Sequence, residues 1–96
     1  MNTIEKVSEI TYSDIAEYIR VENEQSTLEN MLTIAKAFIK SYTGLNDEQV
    51  DEHADFVIAA FILCQDMWDN RTLYVDNNNL NKVVETILGM HSVNLL

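Results

Sequence analysis

Apolar side chains recur at spacings of three and four along residues 28–42: Leu28, Met31, Leu32, Ala35, Phe38, Ile39 and Tyr42. Residues so spaced share one face of a helix, so the pattern predicts a long amphipathic helix. Ser26 with Glu29 reads as a capping box at its start. Gly44 follows as the left-handed residue that ends it, and Lys36 and Lys40 lie toward the end where the helix dipole favours cations. A different pattern fills residues 56–64, where nine apolar positions follow one another without a break. The polar and aromatic run Gln65, Asp66, Met67, Trp68, Asp69, Asn70, Arg71 comes next. A helix apolar nearly all round is buried on most sides. Phe, Val and Ile also favour strands, but regular structure from about residue 51 to 69 exceeds an ordinary strand, and Ala59 and Ala60 favour a helix. The expectation is a central helix over about residues 51–70.

The remaining segments arrange themselves around that helix. Thr11 with Asp14 is a capping box for a short helix over about 12–20, with Ile15, Tyr18 and Ile19 on its apolar face. Residues 21–25 read as a connection, and 45–50 as a turn with Asn46 and Asp47 as candidate caps. A last helix over about 80–89 presents Leu80, Val83, Val84, Ile87 and Leu88, with Gly89 closing it. Between the last two helices, residues 71–79 form a loop or a short hairpin arm, since Thr72, Leu73, Tyr74 and Val75 suit a strand while Asp76 and Asn77, Asn78, Asn79 suit a turn. Residues 1–9 carry no sustained periodicity and read as an N-terminal arm, loose or ordered by a partner; 92–96 form a short C-terminal tail. The sum is an all-α protein: a small helical bundle of about four helices around a central apolar helix, in one domain over 1–96. Its expected core includes Leu28, Leu32, Ala35, Phe38, Ile39, Phe61 and Ile87.

Composition narrows the picture. The chain has 96 residues, no proline, two glycines and a 47% apolar content, which suits a single helical domain better than a loop-rich all-β fold. Six basic against sixteen acidic residues give a formal net charge of −10. Nucleic-acid binding draws on cations that neutralise phosphates, so wrapping of DNA and binding to anionic membranes are both disfavoured. No Lys or Arg occurs over residues 41–70, where seven acidic residues do. Asp47, Glu48, Asp51, Glu52 and Asp55 thus form an acidic strip, either a solvated face or a surface that repels or guides polyanions. The single cysteine excludes an intrachain disulfide and fits a reducing compartment. No basic region precedes an apolar core near residue 1, so no signal peptide is expected, and the apolar run is too short to span a bilayer.

Catalytic and cofactor motifs are not found. His53 lies among Asp51, Glu52 and Asp55, which reads as a surface histidine in a helix's first turns, with only an adventitious metal contact as the alternative; His91 stands apart in sequence. Zinc sites take three or four protein ligands, and no metal or cofactor is expected. A calcium loop starting at Asp76 fails, because its fifth, sixth and twelfth positions are Leu80, Asn81 and Ile87. The glycines are isolated, so there is no phosphate-binding loop. Cys64 within the apolar run reads as an inert buried thiol. Asn70-Arg71-Thr72 matches a glycosylation sequon by chance. The expectation is a protein that is not an enzyme.

The order of the pieces carries a resemblance. A capped short helix, TYSDIAEYIRVE, precedes a long helix that stops at Tyr42, Thr43, Gly44; a central helix then ends in Trp68, Asp69, Asn70, Arg71, and a loop leads to a last helix, NKVVETILGMHSV. This resembles the small head–tail connector (adaptor, or DNA-packaging) proteins of long-tailed bacteriophages and prophages. The similarity covers about residues 10–93, and Trp68 stands where such proteins often have Tyr. The resemblance implies a structural subunit of a ring, twelve copies in the virion, seated under the portal, extending the DNA channel and joining capsid to tail. Its partners would be the portal protein, the next head-completion or tail protein and further copies of itself, with the subunit monomeric in isolation or forming rings of slightly variable number. DNA would pass without sequence-specific binding, the acidic strip would face either the channel or a neighbouring subunit, no membrane would be involved, and the locations would be the virion head–tail junction and the host cytoplasm during assembly.

Two apolar segments lie outside the bundle pattern: Leu73, Tyr74 and Val75 in the loop, and Val93, Leu95 and Leu96 in the tail. They are the candidate contacts with neighbouring subunits and partners, expected to be mobile in the free subunit and ordered in a ring, against the simpler alternative that Leu95 and Leu96 fold back on the bundle. The competing functional expectation is a small acidic regulatory protein, an anti-repressor or DNA-mimic inhibitor, whose acidic strip occupies a basic partner.

Overall fold

The described residues of the computed structural model are 4–22 and 24–93. Among them are five α-helices: α1 (Tyr12–Ile19), α2 (Gln25–Thr43), α3 (Asp47–Asp51), α4 (Asp55–Asn70) and α5 (Lys82–His91). Short 3-10 turns occupy Val7–Glu9 and Asn77–Asn79, and no strand occurs among the described residues. Helix α4 is the hub, packed against α2, α5 and α1. Its residues Phe56, Val57, Ala59, Ala60, Phe61, Leu63, Cys64 and Met67 are buried. They join Ile15 of α1, Leu28, Met31, Leu32, Ala35 and Ile39 of α2, and Val84, Ile87 and Leu88 of α5 in one apolar cluster. The expected core is therefore present, with Phe38 only half-buried at its margin. The all-α bundle around a central apolar helix is the fold. Among the described residues, no helix is long and apolar enough to cross a membrane.

Local signals explain most of the helix ends. The Thr11 hydroxyl accepts from the Asp14 amide at 3.3 Å, and the Asp14 carboxylate accepts from the Thr11 amide at 2.8 Å, completing the expected box. Gly44 closes α2 with φ 75°, a left-handed conformation that glycine adopts without strain. Arg20 and Arg71 close α1 and α4 in the same region without being glycine. The box expected at Ser26 and Glu29 does not form: α2 begins at Gln25 with Glu24 as an N-cap lacking a side-chain bond, so Ser26 already lies inside the first turn.

The central helix departs from expectation in two ways. First, it starts later: the expected turn at 45–50 holds a short helix, α3, begun by a capping box of Asn46 and Gln49, and the chain passes through Glu52, His53 and Ala54 before α4 begins at Asp55. In this link His53 N–H donates to Val50 C=O, Phe56 N–H to His53 C=O and Val57 N–H to Ala54 C=O, all three-residue bonds that tighten the backbone. On one straight helix the six-residue step from Val50 to Phe56 would aim them about 120° apart. The break lets Val50 be buried in α3, which packs on the N-terminal turn and α2, while Phe56 enters the main core. Second, the apolar run is not covered all round, for Ile58 is exposed.

The described segments toward either end depart from expectation in part. Val7 and Ile10 are buried, and Ser8 donates to Asp51 through its amide at 3.0 Å and its hydroxyl at 2.6 Å. The described part of the N-terminal segment is thus docked on α3. At the other end, α5 runs past Gly89 to His91; Asn81 caps its start, accepting from the amides of Val83 and Val84. Gly89 sits in helical backbone with open space where a Cβ would stand, and buried Leu88 before it and the His91 ring on Phe56 after it keep the helix going despite its weak propensity.

The Ser8 hydroxyl, with the Ser8 amide behind it, holds the Asp51 carboxyl below the usual carboxylate range, against the opposing effect of burial. A carboxyl lowered in the folded state stabilises fully above its unfolded pKa and loses that contribution as pH falls through the folded value. The Ser8 amide resonance is therefore expected to stay constant through the ordinary Asp range at about pH 4 and to shift only as the solution is acidified below it. Asp51→Ala should cost about 0.5–1.5 kcal/mol and speed amide exchange over residues 7–10, leaving protection in α2 and α4 intact. Unchanged exchange at residues 7–10 would show that the segment is held by apolar contacts alone.

Candidate functional site

The loop between α4 and α5 is built as a tether with an outward tip. Arg71 turns the chain in left-handed backbone, and its guanidinium lies 4.8 Å from the Trp68 ring centroid, a cation–π contact over the last turn of α4. Thr72 N–H donates to Met67 C=O at 3.0 Å, tying the first loop residue back to the helix. Asp76 then caps the Asn77–Asn79 turn, accepting from the Asn79 side chain at 2.7 Å and the Asn78 amide at 3.0 Å; these bonds hold its carboxyl below the usual range. Val75 and Leu80 pack against the core, whereas Leu73 is 54% exposed and Tyr74 62% exposed. Of the loop-or-hairpin alternatives the structure takes the loop, which these contacts tie to the bundle and which presents two apolar side chains.

Beneath this loop lies a groove of about 280 Å³, with Leu63, Asp66, Met67 and Asn70 of α4 on one wall and Val75 and Leu80 on the other. Burial, helped by the nearby Asp69 charge, pushes the Asp66 carboxyl up from the usual range.

The tail residues divide. Ser92 donates its hydroxyl to Leu88 C=O at 2.7 Å, and Val93 N–H donates to Thr43 C=O at 2.8 Å, so the chain is fastened to the end of α2 up to residue 93. The Val93 side chain is 45% exposed. Leu95 and Leu96 lie outside the described residues.

The matched motif residues are helix stops rather than a ligand site. Thr43 is fully buried, donates its hydroxyl to Ile39 C=O at 2.7 Å and accepts from the Leu45 amide at 3.3 Å. Tyr42 is half-buried, with its ring 5.7 Å from Phe38, and Gly44 turns the chain. At the end of α4, Trp68 is half-buried, Asp69 accepts from the Gln65 side chain at 2.9 Å, and Asn70 is exposed beside Arg71.

The acidic strip is less uniform than its sequence. Asp47 pairs with Lys40 at 3.1 Å, Asp51 holds Ser8, and Asp55 meets His91 at 2.9 Å. Glu48 and Glu52 remain exposed. Cys64 is buried, and that burial pushes its thiol up to about 12, which fits the inert thiol expected from the sequence.

One cluster was not visible in the sequence. His53, in the link between α3 and α4, stacks on His91 at the end of α5 with ring centroids 3.9 Å apart. The edge of Phe56 meets both rings at 5.2 Å. No signal in the linear spacing pairs the two histidines; the last turn of α5 brings them together by continuing beyond Gly89.

No family model, curated protein or solved structure significantly matches the chain.

Proposed function

We propose that this chain is a structural, non-enzymatic subunit of a bacteriophage head–tail connector, forming a ring under the portal that extends the DNA channel and joins capsid to tail. The observation that carries the reading is the anchored 71–80 loop, which holds Leu73 and Tyr74 in solvent on a bundle whose own core is already filled. A lone subunit gains nothing from ordering two large apolar side chains in water; a neighbour that covers them does. The order of helices and the two helix stops, at Tyr42 to Gly44 and at Trp68 to Arg71, support the same reading through the resemblance they carry. Net charge supports it as well, because a negative lumen denies DNA phosphates the cations that would hold them.

The experiment is electron microscopy of the concentrated protein alone and mixed with portal rings. Rings of about twelve subunits seated on the portal are the expected result. A chain that ignores the portal and instead binds a basic DNA-binding protein at a small fixed stoichiometry would establish the acidic-regulator reading in its place.

Charge at the lumen is tested separately. Glu48 and Glu52 are the residues to change, because Asp51 and Asp55 already hold structural partners. Glu48→Lys with Glu52→Lys is expected to leave melting within about 0.5 kcal/mol and to add DNA retention that disappears as salt rises. Retention equal to that of the unmodified ring at every salt concentration would place this face away from the channel.

A further inference from the structure

We propose that His53, Asp55 and His91 form a binding site for a divalent transition-metal ion of the zinc class, independent of the connector reading. One ligand atom from each residue lies within 4.8 Å of the others. His91 Nε2 and Asp55 Oδ2 are already 2.9 Å apart. Ligand atoms about 2.0–2.2 Å from a tetrahedral zinc lie roughly 3.3 Å from one another, so the widest separation must close by about 1.5 Å at most, while the hydrogen-bonded His91–Asp55 pair opens slightly and releases its shared proton to solvent as the ion takes its place. That movement falls on His53, which sits in the link between α3 and α4 rather than within a helix. Its ring makes only aromatic contacts, so its nitrogens have no protein hydrogen-bond partner among the described residues. The His53 nitrogens are thus free to turn toward an ion held by His91 and Asp55 once the ring tilts out of its stack on His91.

The donor set selects the ion. Two imidazole nitrogens and one carboxylate oxygen suit zinc, cobalt, nickel or copper, whereas magnesium and calcium take shells of oxygen. Three protein ligands leave a fourth position for water. The three ligands come from the α3–α4 link, the first turn of α4 and the last turn of α5. An ion bound there ties together the end of the bundle at which Val93 joins Thr43. Its role on this geometry is a structural clasp.

The chain itself makes the test clean. It has two histidines and one cysteine, and that cysteine is buried, so histidine-bound metal in the untagged protein has one place to be. The untagged protein is stripped with chelator and titrated with cobalt(II), then with zinc. The expected results are visible bands of tetrahedral cobalt at one ion per chain, displaced by zinc. The melting midpoint should rise by roughly 10 °C when free zinc is a hundredfold above its dissociation constant. Calcium and magnesium should give no shift. Asp55→Asn and His53→Gln should each weaken cobalt binding by at least about tenfold, since loss of a mere outer-shell partner already costs that much. Absence of cobalt bands together with no zinc shift at millimolar ion overturns the site, as does a stoichiometry below one per chain. Binding as tight in Asp55→Asn as in the unmodified protein overturns it too. If His53→Gln fails to fold, the titration of the unmodified chain and the Asp55→Asn variant decide.

Discussion

Phe61→Ala is expected to lower the free energy of unfolding by about 3–5 kcal/mol and the melting midpoint by at least roughly 12 °C. Phe61 is buried in the middle of α4, where its ring stacks on Tyr18 of α1 at a centroid separation of 5.1 Å and an interplanar angle of 20°. Removing the ring leaves a cavity and also strips the inner partner from Tyr18, which is itself partly exposed and holds α1 against the hub. A domain of this size has a total stability of about 5–15 kcal/mol, so the loss is a large fraction of it. Ile58→Gln is the control. It lies three residues away in the same apolar run but is 54% exposed, and its change is expected to stay within about 0.5 kcal/mol. Equal losses from the two variants, measured by denaturant unfolding, would mean that α4 is covered on a face that the bundle leaves open.

That contrast marks the limit of what the sequence discloses. Nine consecutive apolar residues identify a buried helix but not which of them faces out, because periodicity is lost when every position is apolar. Where the pattern alternates, as in α2, burial follows it closely: Leu28, Met31, Leu32, Ala35 and Ile39 are all buried. Ends encoded by a local bond were legible too, at Thr11 with Asp14 and at Gly44, since the partners sit within three or four residues of each other. Ser26 with Glu29 shows how the same signal misleads. The helix starts at Gln25, and a serine inside the first turn has no free cap position to fill.

Bonds between distant segments were beyond reach for a different reason. Ser8 with Asp51, Val93 with Thr43 and His53 with His91 each join residues whose separation along the chain carries no periodic or spacing signal. They follow from how the ends of helices meet once the core is packed. The break at residues 52–54 belongs with them: no glycine or proline marks it, and only the need to bury Val50 and Phe56 in different places accounts for it. The consequence for the acidic strip is direct. A run that reads as five equivalent carboxylates is in fact two half-buried ones with bonded partners, Asp51 and Asp55, and three exposed ones, of which Asp47 makes a surface pair with Lys40 and Glu48 and Glu52 do not.

On the proposed connector reading, Leu73→Ser with Tyr74→Ser is expected to abolish ring assembly while leaving the fold untouched. Both side chains point into solvent from a loop that other residues anchor: Val75 and Leu80 pack on the core, Thr72 bonds back to Met67, and Asp76 closes the following turn. Their removal thus costs the monomer almost nothing, and melting should move by no more than about 0.5 kcal/mol equivalent. In the proposed ring the same residues would be repeated at every interface. An aromatic and a large aliphatic side chain buried by a neighbour are the kind that carry about 2 kcal/mol or more each in an interface. A ring of about twelve subunits contains the interface twelve times over, so a loss at each contact is multiplied around the closed ring. Assembly should therefore vanish at concentrations where the unmodified chain assembles fully, measured by sedimentation velocity and by microscopy with portal rings. Charge gives an independent check on the cause, because apolar contacts are insensitive to moderate salt whereas pairs of surface charges are screened by it. Rings that survive the double substitution and dissolve in salt would assign the interface to the charged surface instead of the loop.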